Sequence, residues 1–260
     1  GGGVVGDVTG FIASTFMRGI KYIQVPTTFL SMIDSSIGGK TGINFKNIKN
    51  YIGTFYNPEK VIIDPKLISS LSLRDKMSAL GEVIKYGIID NVSFLRRLNY
   101  LIKNNRLFEI NYLKDVIYNC CLIKVKIIES DEFDLKNRQF LNFGHTFAHA
   151  IEACSYKKEI KHGEAVLIGM KMAAEISFSK GLLNEESYSI IINTINLIPL
   201  PKVDIDYKKL FKFILKDKKN ISNKISLILL KDIGKPIKKD YDKNDKTIKE
   251  ILVNHENFCN

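Results

Sequence analysis

The stretch of residues 138–149 reads Arg-Gln-Phe-Leu-Asn-Phe-Gly-His-Thr-Phe-Ala-His, and it decides how the second half of the chain is interpreted. Its polar stripe consists of Arg138, Asn142, His145 and His149. These residues recur at offsets of 0, 4, 7 and 11, which is the spacing of one face of an α-helix. The other positions are largely apolar, as in a buried helix, and buried polar groups need partners. The pattern therefore predicts a buried helix over residues 138–155 that binds a polar ligand or a metal.

The histidines of the chain are clustered. Three of the four, His145, His149 and His162, lie within 18 residues, which favours a metal site over a solvated polar helix face. A catalytic zinc ion usually takes three protein ligands, and the segment His-Thr-Phe-Ala-His lacks the glutamate of the zinc-protease motif. A carboxylate must therefore come from elsewhere. Glu82, one turn before Lys85 on an otherwise apolar helical segment, is the candidate; an ordinary surface Glu–Lys pair is the alternative that stays open.

Two glycine-rich segments indicate ligand loops. Residues 34–44 read Asp-Ser-Ser-Ile-Gly-Gly-Lys-Thr-Gly-Ile-Asn, but Asp34 stands where a P-loop requires glycine. The glycines still let the backbone approach a ligand, and Lys40 can meet a phosphate or carboxylate, while a tight structural turn is the alternative. Residues 1–7 read Gly-Gly-Gly-Val-Val-Gly-Asp and satisfy the unspecific GxGxxG pattern; glycine amides before a helix suit a phosphate or a cofactor.

The composition is that of a globular cytoplasmic protein. Hydrophobic residues make up 45% and charged residues 26% of the chain. No apolar run approaches the roughly 20 residues that span a bilayer, and the N-terminus has no signal-peptide pattern. The four cysteines form no CxxC pair and are expected to be reduced thiols. The net charge of +11 is spread along the chain, so a lysine-rich surface or an anionic small substrate explains it better than nucleic acid.

The chain divides near Asp64 into two predicted domains. Alternating strand, helix and glycine loop predict part of an α/β domain over residues 1–65. Helical periodicity then predicts a mostly α-helical domain over residues 66–260. The predicted helices cover residues 7–18, 72–89, 92–104, 111–130, 138–155, 162–181, 185–197, 207–215 and 246–257. The predicted strands cover residues 20–25, 60–64 and 225–230, with loops at 1–6 and 27–42, the second containing a short helix.

The first residues are those of a ligand loop, and the helix after them has no preceding strand on which to pack. A sheet with so few strands would be a poor layer. We therefore expect that a preceding piece of the domain, on the order of a hundred residues, is absent. On this expectation the chain holds zinc but binds a dinucleotide weakly and turns over poorly.

Six motifs together resemble the dehydroquinate synthase family of sugar phosphate cyclases in order and spacing. They are Gly-Gly-Gly-Val-Val-Gly-Asp at 1–7, Val-Pro-Thr-Thr at 25–28, the segment 34–44, Gly-Glu-Val-Ile-Lys-Tyr-Gly at 81–87, Leu-Asn-Phe-Gly-His-Thr-Phe-Ala-His-Ala-Ile-Glu at 141–152 and His-Gly-Glu-Ala-Val at 162–166. The match runs from residue 1 to about residue 234. The resemblance implies the C-terminal part of a Rossmann-like NAD-binding α/β domain, followed by a mostly helical metal- and substrate-binding domain.

The resemblance also implies cofactors and site residues. The implied ligands of zinc, for which cobalt is an alternative, are Glu82, His145 and His162. The implied NAD contacts are Gly3, Val4, Val5, Gly6, Asp7, Thr27, Thr28, Lys40, Lys49, Leu67, Ile68, Ser69 and Ser70. The implied substrate contacts are Asp34, Lys85, Lys124, Arg138, Asn142, His149 and a lysine after Asp217, for which Lys218 is preferred over Lys219. A homodimer is implied, in which Arg18 reaches the neighbouring subunit's site.

The implied substrate is 3-deoxy-D-arabino-heptulosonate 7-phosphate of the shikimate pathway, a small sugar phosphate. The family's reaction oxidises C5 with NAD, eliminates phosphate, reduces C5 again, opens the ring and closes a carbocycle by an aldol step. Zinc polarises the C5 oxygen, NAD is not consumed, and His149 relays protons. The lysines and Arg138 neutralise phosphate and carboxylate. The chain departs from the family at Lys136, where glycine is typical, so the loop before Arg138 is expected to differ.

Three other functions stay open. Another sugar phosphate cyclase, such as a 2-deoxy-scyllo-inosose synthase, would use a substrate without the carboxylate, and Arg138 and Asn142 argue against it. A metal-dependent polyol dehydrogenase of related fold would release net NADH. A metal-binding remnant without activity would bind zinc yet release no phosphate.

Overall fold

The computed structural model describes residues 1–46, 48–155, 160–202, 206–216 and 224–256. Contacts group the chain into two compact units: the first combines residues 1–76 and 105–138, and the second combines residues 77–104 and 139–260. This grouping differs from the predicted division after residue 65. The cause is helix α4 (Ile110–Ser130), which packs on the segments Ser31–Ser35 and Pro65–Ser70 and so belongs to the first unit.

The first unit contains the α/β part of the chain. Its elements are α1 (Gly3–Thr15), β1 (Ile23–Gln24), β2 (Lys40–Phe45), β3 (Ile48–Phe55), β4 (Lys60–Val61) and α4, with 3₁₀ turns at Phe16–Arg18 and Pro65–Ser70 and a π-helical turn at Ser31–Ser35. Strands β1 and β4 pair in parallel, with Ile23 opposite Lys60. Strands β2 and β3 form an antiparallel hairpin, with Thr41 opposite Thr54, on which α1 packs.

Two local predictions for the first unit are wrong. Residues 1–6 were predicted as a loop, but the chain is helical from Gly3, and the helix ends at Thr15. Residues 27–42 were predicted as a loop with a short helix; the helical turn at Ser31–Ser35 agrees, but the segment also contains the start of β2, and its partner β3 was not predicted. Glycine has a low intrinsic helix propensity, and these strands do not alternate apolar and polar residues. The packing of α1 on the β2–β3 hairpin therefore decides the local structure.

The second unit is mostly helical, as predicted. Its helices are α2 (Leu73–Asp90), which begins in the first unit, α3 (Val92–Lys103), α5 (His145–Cys154), α6 (His162–Ser179), α7 (Glu185–Ile195), α8 (Tyr207–Lys216) and α9 (Lys246–Glu256). Helix α6 is buried along most of its length and packs on α5, α7 and α9. Strands β5 (Lys224–Asp232) and β6 (Lys235–Asp242) form a hairpin on α6. Because the sequence of β6 is highly charged, its strand pattern is not recognisable, and only β5 was predicted.

The single helix predicted over residues 138–155 is wrong. The chain forms a 3₁₀ turn at Asn137–Asn142, and α5 begins only at His145. Gly144 separates the two with a φ of +79°, and a Cβ atom there would lie 2.7 Å from the backbone nitrogen of Met170 on α6. Such backbone geometry and such a close approach require glycine. Arg138 and Asn142 therefore do not share a helix face with the histidines.

Two further findings concern the chain as a whole. Within the described ranges, no helix is long and apolar enough to cross a membrane. Cys120, Cys121 and Cys154 are free thiols, as predicted, and burial raises the pKa of Cys121 to about 11. Cys259 lies outside the described residues.

Candidate active site

Three side chains of the second unit converge on one point. Glu82 lies on α2, and His145 and His162 are the first residues of α5 and α6. Glu82 Oε1 lies 3.2 Å from His145 Nε2 and 3.3 Å from His162 Nε2. Ligand atoms around a tetrahedral zinc ion, each about 2 Å from the metal, are separated by about 3.3 Å. These two distances therefore fit side chains that share one metal ion.

Close backbone packing brings α2 and α6 together. A Cβ atom on Gly163 would lie 1.7 Å from Ser78 O, and a Cβ atom on Gly81 would lie 2.3 Å from Gly163 O. Only glycine fits at such a contact, because any side chain would overlap the facing backbone. Glu82 follows Gly81 and His162 precedes Gly163, so this contact sets the distance between the two ligands.

The Glu82 carboxylate is the charged centre of this triad. Its side chain is fully buried, and so is nearly all of the Lys85 side chain that pairs with it, so the alternative of a surface Glu–Lys pair is wrong. Neither Glu82 oxygen accepts a hydrogen bond of normal geometry from a described residue. Burial by itself would raise the pKa of Glu82, but the charge of Lys85 and the neighbouring His145 hold that pKa well below its usual range. An ionised buried carboxylate whose Oε1 lies within 3.3 Å of two imidazole nitrogens fits a bound cation.

The two histidines differ in their protonation. Burial, together with the charge of Lys85, lowers the pKa of His145, whose Nδ1 lies 3.2 Å from Phe143 O. Its imidazole is therefore neutral at pH 7, which suits a metal ligand. Burial would also lower the pKa of His162, but the carboxylates of Glu152 and Glu82 outweigh it and raise the pKa to about 9. A metal ion that binds His162 must displace a proton from it.

His149 lies beside the triad without joining it. It follows His145 by one turn of α5, the two ring centroids are 5.5 Å apart, and the residue is exposed. Among the described residues, the ligand atoms that converge are those of Glu82, His145 and His162. The geometry therefore agrees with the predicted distinction between a ligand at His145 and a different role for His149.

A mostly buried ion pair lies in the first unit. Lys124 of α4 places its Nζ 2.6 Å from both the backbone oxygen and Oδ1 of Asp34, which lies in the π-helical turn. The Lys124 side chain is 8% exposed and that of Asp34 is 27% exposed. These two predicted substrate contacts are therefore adjacent, and the lysine can place positive charge beside an incoming anion.

Arg138 is buried and binds backbone oxygens of the first unit. Its Nη2 donates to Gly38 O at 2.7 Å and its Nη1 to Glu132 O at 2.5 Å. Asp131 Oδ2 accepts from the backbone N–H groups of Arg138 and Lys136, so one carboxylate folds the loop that precedes Arg138. Asn142, in contrast, donates from its Nδ2 to the backbone oxygen of Gln139. Arg138 and the histidines therefore lie on different elements, although the sequence pattern placed them on one helix.

The N-terminus of α1 borders a cleft of about 220 Å³ in the first unit. The cleft is lined by Gly1, Gly2, Val5, Gly6, Thr9, Tyr22, Ile23, Gln24, Val25, Pro26, Ser31 and Ser35. Helix α1 begins without a capping side chain on Gly2, so the N–H groups of its first turn can bind an anion. This arrangement fits a ligand that contains phosphate.

Two family models match the chain, over residues 1–78 as 3-dehydroquinate synthase N-terminal and over residues 79–220 as 3-dehydroquinate synthase C-terminal. The 3-dehydroquinate synthase of Pelagibacter ubique is 45% identical over a match that covers 97% of this chain and 70% of that protein. The 3-dehydroquinate synthase of Dictyoglomus turgidum is 46% identical over a match that covers 96% of this chain and 72% of that protein. This chain belongs to the 3-dehydroquinate synthase family.

Solved structures outside the 3-dehydroquinate synthases share the fold. A 2-deoxy-scyllo-inosose synthase, complexed with carbaglucose-6-phosphate, NAD+ and Co2+, superposes with a TM-score of 0.87 at 28% identity, covering 96% of this chain and 71% of that one. A 2-epi-5-epi-valiolone synthase from Streptomyces hygroscopicus, with NAD+ and Zn2+ bound, reaches a TM-score of 0.86 at 23% identity, covering 100% and 72%. The maleylacetate reductase of Agrobacterium tumefaciens reaches 0.59 at 13% identity, covering 97% and 71%. The last two establish the fold alone.

The residues that the 3-dehydroquinate synthase resemblance assigns to NAD all lie in the first unit. Gly3, Val4, Val5, Gly6 and Asp7 begin α1; Thr27 and Thr28 follow β1; Lys40 begins β2; Lys49 lies in β3; Leu67, Ile68, Ser69 and Ser70 lie in the 3₁₀ turn. Of these, Lys40 forms an ion pair with Asp134, with Nζ 2.5 Å from Oδ2. Lys218 lies outside the described residues, so its assignment stays a prediction.

The sequence interpretation missed two carboxylates. Glu152 of α5 places its Oε1 3.1 Å from His162 Nδ1. Its position seven residues after His145, on the same helix face, could have indicated it. Asp131 organises the loop before Arg138 through backbone N–H groups, and local sequence patterns do not reveal contacts of that kind.

Proposed function

We propose that this chain is a carbon–oxygen lyase that converts 3-deoxy-D-arabino-heptulosonate 7-phosphate into 3-dehydroquinate and phosphate in the shikimate pathway. The observation that carries the proposal is the buried triad of Glu82, His145 and His162 in a member of the 3-dehydroquinate synthase family. The relatives with that name are 45% and 46% identical over nearly the whole chain.

The proposed cofactors are NAD and a divalent metal, zinc or cobalt. The triad would hold the metal, which when bound polarises an oxygen of the substrate. The first turn of α1 and the cleft beside it would hold NAD, which when bound accepts a hydride and returns it. The chain supplies the orientation: the N–H groups at Gly3 and the residues after it bind phosphate oxygens along the helix axis.

Positive side chains are proposed to bind the substrate anions. Lys124 lies beside Asp34. Arg138 presents a planar guanidinium, which suits a carboxylate or a phosphate. Both are buried, and burial strengthens their attraction for an anion because little water screens it. Both are held by backbone oxygens before substrate arrives, so little side-chain entropy is lost on binding.

Lys85, Asn142 and His149 are also proposed to act on the substrate. Lys85 pairs with Glu82, so its ammonium lies beside the proposed metal ligands and can donate to a substrate oxygen. Asn142 can donate through its amide. His149 is exposed one turn from His145 and can take up and return a proton at an imidazole nitrogen.

A homodimer completes the proposal. Arg18 is exposed and ends the 3₁₀ turn after α1, with a φ of +67°. An arginine held on a tight turn at the surface can reach a phosphate in a neighbouring subunit.

The second candidate function is that of a 2-deoxy-scyllo-inosose synthase, which the TM-score of 0.87 at 28% identity favours over other classes. The test is phosphate release from 3-deoxy-D-arabino-heptulosonate 7-phosphate and from glucose 6-phosphate, with NADH followed at the same time. We expect phosphate release from the first substrate without net NADH. Release from glucose 6-phosphate alone would favour the second candidate, and accumulating NADH would indicate a dehydrogenase. Zinc binding without turnover of either substrate would indicate a metal-binding remnant without activity.

A further inference from the structure

The His162 ring lies between two carboxylates. Its Nε2 is 3.3 Å from Glu82 Oε1, and its Nδ1 is 3.1 Å from Glu152 Oε1 on α5. Glu82 is a proposed metal ligand, whereas Glu152 lies on the far side of the ring and has no role so far. Its side chain is 28% exposed, similar to the 25% of His162.

The chemistry of imidazole gives this arrangement a consequence. A neutral imidazole carries one N–H group and one lone pair, and the hydrogen bond at one nitrogen decides which nitrogen keeps the lone pair. A carboxylate accepts only, so Glu152 selects the tautomer with hydrogen on Nδ1. The lone pair is then on Nε2, which is the nitrogen that faces Glu82. Glu152 also limits rotation of the ring, because turning it would break the hydrogen bond.

The other histidine of the triad obtains its orientation in a different way. His145 Nδ1 lies 3.2 Å from Phe143 O, a backbone acceptor that no substitution removes. His162 depends on a side chain, and that side chain belongs to a different helix. Glu152 therefore also ties α5 to the N-terminus of α6, where His162 is the first residue.

We propose that Glu152 is a positioning residue of the metal centre, which holds the His162 ring and presents its Nε2 to the metal. This inference rests on the proposed metal site and adds to it a residue that never touches the metal. Carboxylates that orient a ligating histidine commonly change metal affinity by roughly 10- to 100-fold when they are removed.

The test compares four variants of the purified protein by Zn2+ affinity, measured in competition with a chromophoric chelator at fixed pH. Glu152→Gln keeps an acceptor oxygen, so we expect affinity within roughly tenfold of the wild type. Glu152→Met keeps the length of the side chain without an acceptor, and Glu152→Ala removes both; for each we expect a loss of roughly 10- to 100-fold. Glu250→Ala, at an exposed position of α9, is the matched control and should bind Zn2+ as the wild type does.

The pattern across variants separates positioning from packing. If Glu152 only fills space, the Glu152→Met variant binds Zn2+ as tightly as the Glu152→Gln variant does, and the inference is overturned. The visible spectrum of the Co2+-loaded protein gives a second readout, because a displaced His162 changes the ligand field even where the protein stays folded. A spectrum unchanged by Glu152→Met also overturns it. If the wild type binds neither metal, the proposed function fails first; if the wild type binds and all Glu152 variants equal it, only the positioning role fails.

Discussion

Glu82 Oε1 and His162 Nε2 lie 3.3 Å apart because the backbones of α2 and α6 touch at the residues next to them. A Cβ atom on Gly163 would lie 1.7 Å from Ser78 O, so the contact admits no side chain. The position of a proposed metal ligand is thus decided by a glycine that carries no chemistry of its own.

Gly163→Ala is therefore expected to weaken both the fold and the metal site. Overlap with a backbone oxygen cannot be relieved by a rotamer change, so we expect a loss of about 3 kcal/mol or more in the free energy of unfolding, measured with urea. Zn2+ affinity should fall as well. Gly181→Ala is the control: its φ is +66° and nothing lies within 4 Å of the added Cβ, so only the backbone penalty of about 1–2 kcal/mol applies and Zn2+ affinity stays unchanged. Equal effects of both substitutions on Zn2+ would refute this account.

His145→Ala is expected to abolish stoichiometric zinc binding. The substitution removes one of the three proposed ligands and leaves Glu82 without the imidazole that lies 3.2 Å away. Metal content is measured by elemental analysis after dialysis against trace zinc. Unchanged zinc content would remove His145 from the ligand set.

His149→Ala is expected to keep zinc and lose turnover. The residue is exposed and lies outside the converging ligand atoms, so its removal leaves the triad intact while the proton relay is lost. General acid–base catalysis typically contributes a factor of about 10²–10⁴, and phosphate release should slow by that order. If the His149→Ala variant also loses zinc, the distinction between His145 as a metal ligand and His149 as a proton relay is wrong.

Lys124→Met is expected to destabilise the protein by about 2 kcal/mol, less than a fully buried pair would cost, because Asp34 is 27% exposed and partly solvated. Asp34→Asn should cost less, since Lys124 keeps its bond to the Asp34 backbone oxygen. Urea unfolding of both single variants and of the double variant gives the coupling free energy. Strictly additive effects would mean that the pair contributes nothing, despite the 2.6 Å contact.

Arg18→Ala and His149→Ala should complement each other in mixed dimers. Each variant alone is expected to be inactive, since each removes one residue from both sites. In a hybrid dimer, the subunit with an intact His149 receives an intact Arg18 from its partner, so one of two sites works. Random association makes half of the dimers hybrid, and about a quarter of the wild-type activity is expected on co-refolding equal amounts. Activity no higher than that of the separate variants would mean that Arg18 does not serve a neighbouring subunit.

The sequence predicted the helices of the second unit well, since α3, α6 and α7 begin at their predicted first residues. Long amphipathic segments specify a helix through their own periodicity. The glycine-rich first unit was predicted poorly. Glycine has a low intrinsic propensity for helix, and the β2–β3 hairpin depends on packing. The helix over residues 138–155 failed for a third reason: the periodicity continued through Gly144, whose positive φ is imposed by its contact with α6.

The sequence by itself determined the family, the α/β and helical character, and the types of residue at the proposed metal site. Clustered histidines and conspicuous motifs depend only on chain order, so they are visible without coordinates. Tertiary structure alone decided that Glu82 is a buried member of the triad and not part of a surface pair, and that Glu152 lies 3.1 Å from His162 Nδ1. The physical reason is that the triad joins three different helices; backbone packing at Gly163 sets the separation of α2 and α6, and no local pattern encodes that distance.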